Sequence, residues 1–203
     1  MIKNIIFDFG DVFINLDKEA TLRELNRLGM SQLIPELMEL FLAYEKGSFS
    51  TASFIERVKP FFSNTPFEEL VSAWNAILLD LPEHRLEYLE SLAKSGSYRL
   101  FLLSNTNALH MAHVAETMGK SRYNRFINCF EWVGLSHEMQ MRKPEPGIFR
   151  YFLKEFGLNP TETFFVDDNL ENTQAAASLG IRVWHIIPEQ EDIINLNKKL
   201  SDA

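Results

Sequence analysis

The 203-residue chain carries a formal net charge of −8, with 46% hydrophobic and 12% aromatic residues. That balance suits a soluble globular protein of one domain, or one domain with a sizeable insertion. It argues against non-specific nucleic-acid binding, which needs a basic face, while a small anionic ligand stays compatible with it. No apolar stretch is long enough to span a bilayer, and the first residues do not read as a secretory signal. The single cysteine, Cys129, allows no internal disulfide and reads as a small apolar residue between Phe126 and Phe130. A cytoplasmic protein is expected, with no membrane or nucleic-acid partner.

The first element is the apolar run Ile5-Ile6-Phe7, a buried parallel strand ended by Asp8 and a glycine turn at Gly10. After about Leu16 and up to about Asp80 the text is helical only. Leu22, Leu25 and Leu28 recur at helical spacing, as do Leu33, Leu37, Leu40 and Phe41. Ser50 reads as an N-cap for a helix carrying Phe54, Ile55 and Val58. Thr65-Pro66-Phe67-Glu68 reads as a cap, a first-turn proline and a capping-box glutamate.

After Pro82 the pattern changes. A helix over Glu83 to Lys94 leads into the strand Tyr98 to Leu103, ending at Ser104. A helix near Leu109 and a short apolar run, Phe130 to Val133, follow. Pro146 to Phe156 is helical and stopped by Gly157. Thr163 to Val166 is a strand ended by Asp167; Leu170 to Leu179 is a helix stopped by Gly180; Ile181 to Ile187 is the last strand, before a polar closing helix.

Alternating strands and helices imply an α/β fold, a Rossmann-like parallel sheet with helices on both faces. Right-handed crossovers put the first strand near the sheet centre. The expected domains are a core of residues 1–16 and 81–203 and a small all-helical cap, 17–80, inserted after the first strand.

Ligands bind at the carboxyl ends of strands in open α/β sheets. Three such ends carry polar residues: Asp8, Ser104-Asn105 and Asp167-Asp168. Adjacent acids facing a third acid make a hard-oxygen site suited to Mg²⁺; the plainer alternative is that Asp167 and Asp168 cap the helix beginning near Asn169. Asn172, one turn on, is placed to steady the acids. The Ser104-Asn105 turn opens a helix, a natural anion cradle. Lys143, held out of the next helix by Pro144, is placed to neutralise phosphate and carboxylate charge.

Phe-Asp-Phe-Gly-Asp-Val, Leu-Leu-Ser-Asn-Thr-Asn, Met-Arg-Lys-Pro-Glu-Pro and Phe-Val-Asp-Asp-Asn-Leu-Glu-Asn resemble, in order, the four motifs of the haloacid dehalogenase-like (HAD) superfamily. They span the chain outside the helical insert. Ser104 to His110, the Arg-Lys-Pro run and the cap text Tyr44 to Ser50 are most similar to the branch holding α-D-glucose-1-phosphate phosphatase and the phosphatase domain of soluble epoxide hydrolase. The resemblance implies that Asp8 attacks phosphorus and forms an aspartyl-phosphate. It implies that Asp8, the Gly10 carbonyl and Asp168, with Asp167 beside them, bind Mg²⁺. Ser104 and the Asn105 amide would hold phosphate oxygens, and Lys143 would offset their charge.

One position departs from the pattern. HAD phosphatases usually carry a second Asp two residues after the nucleophile, as general acid and base, and here that position is Gly10. Three explanations are open. A good leaving group, such as the anomeric oxygen of a hexose 1-phosphate, needs less protonation. Asp11, His110 or a held water supplies the proton. Or the chain is a metal-independent 2-haloacid dehalogenase, or a silent sugar-phosphate binder. The expectation is a Mg²⁺-dependent phosphatase of a small sugar phosphate, a monomer or weak homo-oligomer. Glu45 to Ser50, Trp74 and Asn75 are the cap residues that could dip into the site, Trp74 reading first as cap core.

Overall fold

The computed structural model describes residues 1–30, 34–62 and 64–201. Leu33, part of the apolar spacing in the cap, lies outside them. Five parallel strands form one sheet: β1 (Asn4–Phe7), β2 (Arg99–Ser104), β3 (Trp132–Leu135), β4 (Thr163–Asp167) and β5 (Arg182–His185). The order is β3-β2-β1-β4-β5, so β1 is central, with Phe7 level with Leu102 on one side and Val166 on the other. That register brings the residues just after β1 and those ending β2 and β4 to one edge.

Strand alternation assigns the two faces. Ile5 and Phe7 join Leu100, Leu102, Phe164 and Val166 under helices α5 (Glu83–Ser95), α6 (Ala108–Met118), α7 (Lys120–Ile127) and α11 (Leu196–Ser201). Ile6, Phe101, Leu103 and Phe165 pack under α9 (Pro146–Glu155) and α10 (Leu170–Ala177). A one-turn helix, α8 (Ser136–Met139), follows β3. On the first face Phe13 packs edge-on against Phe7 and Phe126, both at 5.3 Å. Each such fully buried ring contributes on the order of 1.5–3 kcal/mol, which anchors the turn after Asp8 to the core.

Among the described residues the insert has four α-helices, α1 (Ala20–Arg27), α2 (Pro35–Glu45), α3 (Thr51–Val58) and α4 (Phe67–Asn75), with a 3-10 turn, Lys59–Phe62, after α3. They bury their own cluster, including Leu25, Leu37, Tyr44, Phe54 and Leu70, while Leu22 faces solvent. The chain enters and leaves through a paired ribbon: Asn15 N–H donates to the Asp80 carbonyl, Asp17 N–H to that of Ile77, and Leu79 N–H to that of Asn15.

Several expected boundaries move. Ser50 caps α3 through Ser53 N–H, but α4 starts at Phe67 with Pro66 outside it and no side-chain cap from Thr65. The third strand runs two residues later than its apolar run, because Leu103 and Ser104 pair with Gly134 and Leu135 while Phe130 turns into the core. The helix near Leu109 is two helices, broken at Gly119, whose φ of 75° continues no helix. The last strand is shorter than Ile181 to Ile187.

Candidate active site

Asp8 follows β1 directly, and its N–H donates to the Val166 carbonyl, which fixes the turn to β4. The Lys143 side chain, 1% exposed, reaches the same point from the loop before α9. Its Nζ donates to Asp8 Oδ1 at 2.6 Å, Asp167 Oδ2 at 2.6 Å and the Leu103 carbonyl at 2.7 Å. Three donors meet three acceptors, so the ammonium is fully satisfied. Burial opposes its charge, but Asp167 and Asp8 outweigh burial and hold the pKa above the usual lysine value.

The carboxylates are not equally compensated. Burial pushes Asp8 up to about 7, against the pull of Lys143, and the charges of Asp167 and Asp168 add to the rise. Asp168 is also raised, by burial above all, with Lys18 pulling the other way. One carboxylate oxygen from each of Asp8, Asp167 and Asp168 lies within 4.8 Å of the others. Hard oxygens converging at that spacing, with one buried cation among them, fit a Mg²⁺ ion and leave negative charge for it to balance.

The surroundings hold these groups still. Asn172 Nδ2 donates to both oxygens of Asp167, at 3.0 and 3.1 Å, as its position one turn into α10 suggested. Asp167 Oδ1 also accepts from Asn169 N–H, but the cap of α10 is the Asn169 side chain rather than either Asp. Ser104 is buried at the end of β2. The Asn105 side chain has a role that its loop text did not reveal: Nδ2 donates to the Lys143 carbonyl at 2.8 Å, and Oδ1 accepts from Lys143 N–H at 2.9 Å. That two-point bond clamps the backbone that carries the ammonium. The Lys143–Pro144 peptide bond is cis.

Lys18 is a second residue without local signal. From the ribbon to the cap its Nζ bridges Asp11 Oδ2 at 2.8 Å and Asp168 Oδ2 at 2.6 Å. Asp11, at φ 53°, also accepts from Leu16 N–H, so it is tied into the turn and the lysine bridge. His110 is bound to the cap rather than to its own helix. Its ring stacks on Trp74 at 5.3 Å, Nε2 lies 3.2 Å from the Trp74 carbonyl, and burial pushes its pKa down to about 4. Trp74 packs against Phe41 and Phe54 and donates from Nε1 to Asn107 Oδ1, which makes it cap core and cap–core contact.

Gly10 is half-buried. A Cβ there would lie 2.7 Å from Leu16 Cδ1, the tip of a flexible and half-buried side chain of the ribbon, so a side chain at this position needs Leu16 to swing aside.

A strand-end nucleophile candidate, a buried lysine and an acid pair, on a sheet ordered β3-β2-β1-β4-β5 with a helical insert after β1, define a hydrolase of the α/β class. The chain belongs to the haloacid dehalogenase-like hydrolases, whose family model matches residues 2–180. It is 29% identical over 190 residues to D-ribitol-5-phosphate phosphatase of Bacteroides thetaiotaomicron, covering 91% of each chain. Among solved structures, a HAD family enzyme from the same organism superposes with a TM-score of 0.87 at 33% identity, over 97% of this chain and 98% of that one. That enzyme has also been crystallised in complex with magnesium and inorganic phosphate; the wild-type complex has a TM-score of 0.83 at 33% identity, over 94% and 97% of the two chains. A predicted HAD-like family hydrolase from Porphyromonas gingivalis has a TM-score of 0.83 at 28% identity, over 100% and 99%. No helix among the described residues is long and apolar enough to cross a membrane.

Proposed function

We propose that the protein is a Mg²⁺-dependent phosphatase of a small phosphorylated sugar or sugar alcohol, acting through an aspartyl-phosphate on Asp8. The observation that carries this reading is the Lys143 ammonium, buried 2.6 Å from both Asp8 and Asp167, with Asp168 completing a carboxylate trio. A metal-independent dehalogenase has no use for that trio. The magnesium and phosphate complexes of the similar Bacteroides enzyme support the same reading.

In this reading Asp8, the Gly10 carbonyl, Asp168 and Asp167 would hold the metal, which supplies Lewis-acid polarisation and charge balance for the phosphoryl group. Asp8 attacks phosphorus; the bond to the leaving oxygen breaks, and that oxygen takes a proton from water. Water then attacks the aspartyl-phosphate, releasing phosphate and restoring Asp8. Lys143 offsets the charge of the approaching anion, while Ser104 and the Asn105 N–H hold its oxygens.

Gly10 sets the substrate preference within this class. With no side chain at position 10 to serve as a general acid, a leaving group that departs with little protonation is favoured, which points to hexose 1-phosphates over hexose 6-phosphates. The relative named for D-ribitol 5-phosphate adds pentitol phosphates to the set to be tried. The test is Mg²⁺-dependent hydrolysis of p-nitrophenyl phosphate, then a panel of hexose 1-phosphates, hexose 6-phosphates and ribitol 5-phosphate. Turnover lost in Asp8→Asn supports the reading. Halide release from 2-chloro acids without metal, or no phosphomonoester turnover at all, overturns it. Equal rates on all three ester types would retain the phosphatase and remove the leaving-group argument.

A further inference from the structure

The loop that carries Lys143 is gripped by the cap at two charged points. Arg142 Nε and Nη2 both lie 3.0 Å from Glu45 Oε1. On the far side of Lys143, Glu145 accepts from Lys46 Nζ at 2.7 and 2.9 Å. The two cap residues are adjacent at the C-terminal end of α2, and their charges are opposite and in the order that matches the loop. Between these anchors the loop is a closed turn, Glu145 N–H donating to the Arg142 carbonyl at 3.0 Å, and Lys143 points the other way, into the carboxylates.

The contact is seated as well as charged. Ser136 Oγ, buried after β3, donates to the Glu45 carbonyl at 2.7 Å. Gly47, at φ 73°, lies so close to the His137 backbone that a Cβ there would run into its carbonyl. Only a glycine brings the α2–α3 turn this near to the core. The Arg142 and Glu45 side chains are about three-quarters buried, at 26% and 27% exposure, so this pair is less screened by water than an open surface pair.

We infer that Glu45 and Lys46 are positioning residues for Lys143: the cap grips the Arg142–Glu145 turn, Asn105 holds the Lys143 backbone within it, and the two holds together set the ammonium against Asp8. The inference rests on the phosphatase reading and deepens it, because it gives the cap a part in the site's charge balance as well as in excluding water.

The test is a charge-swap cycle. Lys46→Glu and Glu145→Lys are made singly and together, with Lys46→Met as a milder variant, and kcat and KM are measured on p-nitrophenyl phosphate with saturating Mg²⁺. Each single reversal of this more exposed pair is expected to lower kcat about threefold to fivefold with KM within about twofold, and the double swap to restore kcat to near the wild-type value. Thermal unfolding of each variant accompanies the kinetics. A fall in kcat without a matching fall in Tm, reversed in the swap, supports positioning. Unchanged kcat in the singles, or a swap no better than either, overturns it. If the wild-type protein turns over no phosphomonoester, the functional reading fails separately, and hydrogen exchange of the Lys143 and Glu145 amides decides the clamp. Protection lost in Lys46→Glu and regained in the swap supports it, and unchanged protection overturns it.

Discussion

Replacing Asp8 with asparagine should abolish turnover and yet stabilise the metal-free protein. The folded carboxyl titrates at about 7, against an ordinary 3.8, because burial disfavours its charge more than Lys143 favours it. Below the ordinary value Asp8 is protonated in folded and unfolded chains alike, so the substitution has little effect there. Between the ordinary value and about 7 the unfolded chain releases the proton while the folded one keeps it, and stability falls as pH rises. Each pH unit costs about 1.4 kcal/mol, so the penalty reaches roughly 4 kcal/mol by about pH 8. An amide is close to the protonated acid in shape and carries no such penalty. Urea unfolding in EDTA, from about pH 4 to about pH 8, should show Asp8→Asn and wild type nearly equal at the acid end. The variant should be about 2–4 kcal/mol more stable at the basic end. Saturating Mg²⁺ should narrow or reverse the difference, since a ligand that binds only the folded wild type stabilises it by mass action. A difference that is flat with pH, or a variant less stable than wild type at the basic end, would refute the charge imbalance inferred for this site.

Truncating the cation has the opposite sign: Lys143→Met should lose activity and about 3–5 kcal/mol of stability in EDTA at neutral pH, measured by urea midpoint, because it leaves two buried carboxylates without their cation. Gly10→Asp needs only the half-buried tip of Leu16 to swing aside. Combined with Leu16→Ala it should raise the rate on hexose 6-phosphates about tenfold or more over Leu16→Ala alone, with little change on p-nitrophenyl phosphate; no gain in the steady-state rate would count against a missing general acid. His110, held down to about 4 by burial, stays neutral in the fold after the unfolded chain has taken up its proton. Wild type should therefore lose about 3 kcal/mol between about pH 6.5 and about pH 4 that His110→Phe does not lose, and parallel pH profiles of the two urea midpoints would reject that.

The sheet and its functional edge were legible because their signals are local. Ile5 to Phe7, Leu100 to Leu103 and Thr163 to Val166 are unbroken apolar runs, each ended by a polar residue, and parallel pairing turns those ends into one edge. Lys143 was legible through its motif, as was Asn172 through helical spacing from Asp167. What escaped depends on contacts between distant residues. The Asn105 side chain meets the Lys143 backbone 38 residues away, and Lys18 meets Asp168 at a separation of 150; neither lysine nor asparagine in a loop announces such a partner. The break at Gly119 was hidden because α7, Lys120–Ile127, is mostly polar and buries only Phe126. Leu16 read only as the last residue before the insert, and its side-chain tip lies beside Gly10.

That last contact changes what the glycine means. At Gly10 the absence of a side chain could reflect a lost acid, with an empty space left behind. Instead the side-chain tip of the ribbon residue Leu16 lies beside it, and the Leu16 backbone is held by its N–H donating to Asp11 Oδ1, whose other oxygen binds Lys18. Lys18 in turn holds Asp168. Gly10, Leu16, Asp11, Lys18 and Asp168 thus form one connected unit that runs from the nucleophile's turn through the ribbon to the acid pair. The same unit places Lys18, an exposed cation on the path to the cap, against a carboxylate proposed to bind metal. Lys143 serves the interior of the carboxylate cluster and Lys18 its rim, and together they still leave Asp8 under-compensated, as its raised pKa shows. A site arranged in this way is held short of positive charge until a divalent cation arrives, and position 10 has no side chain from which to donate a proton.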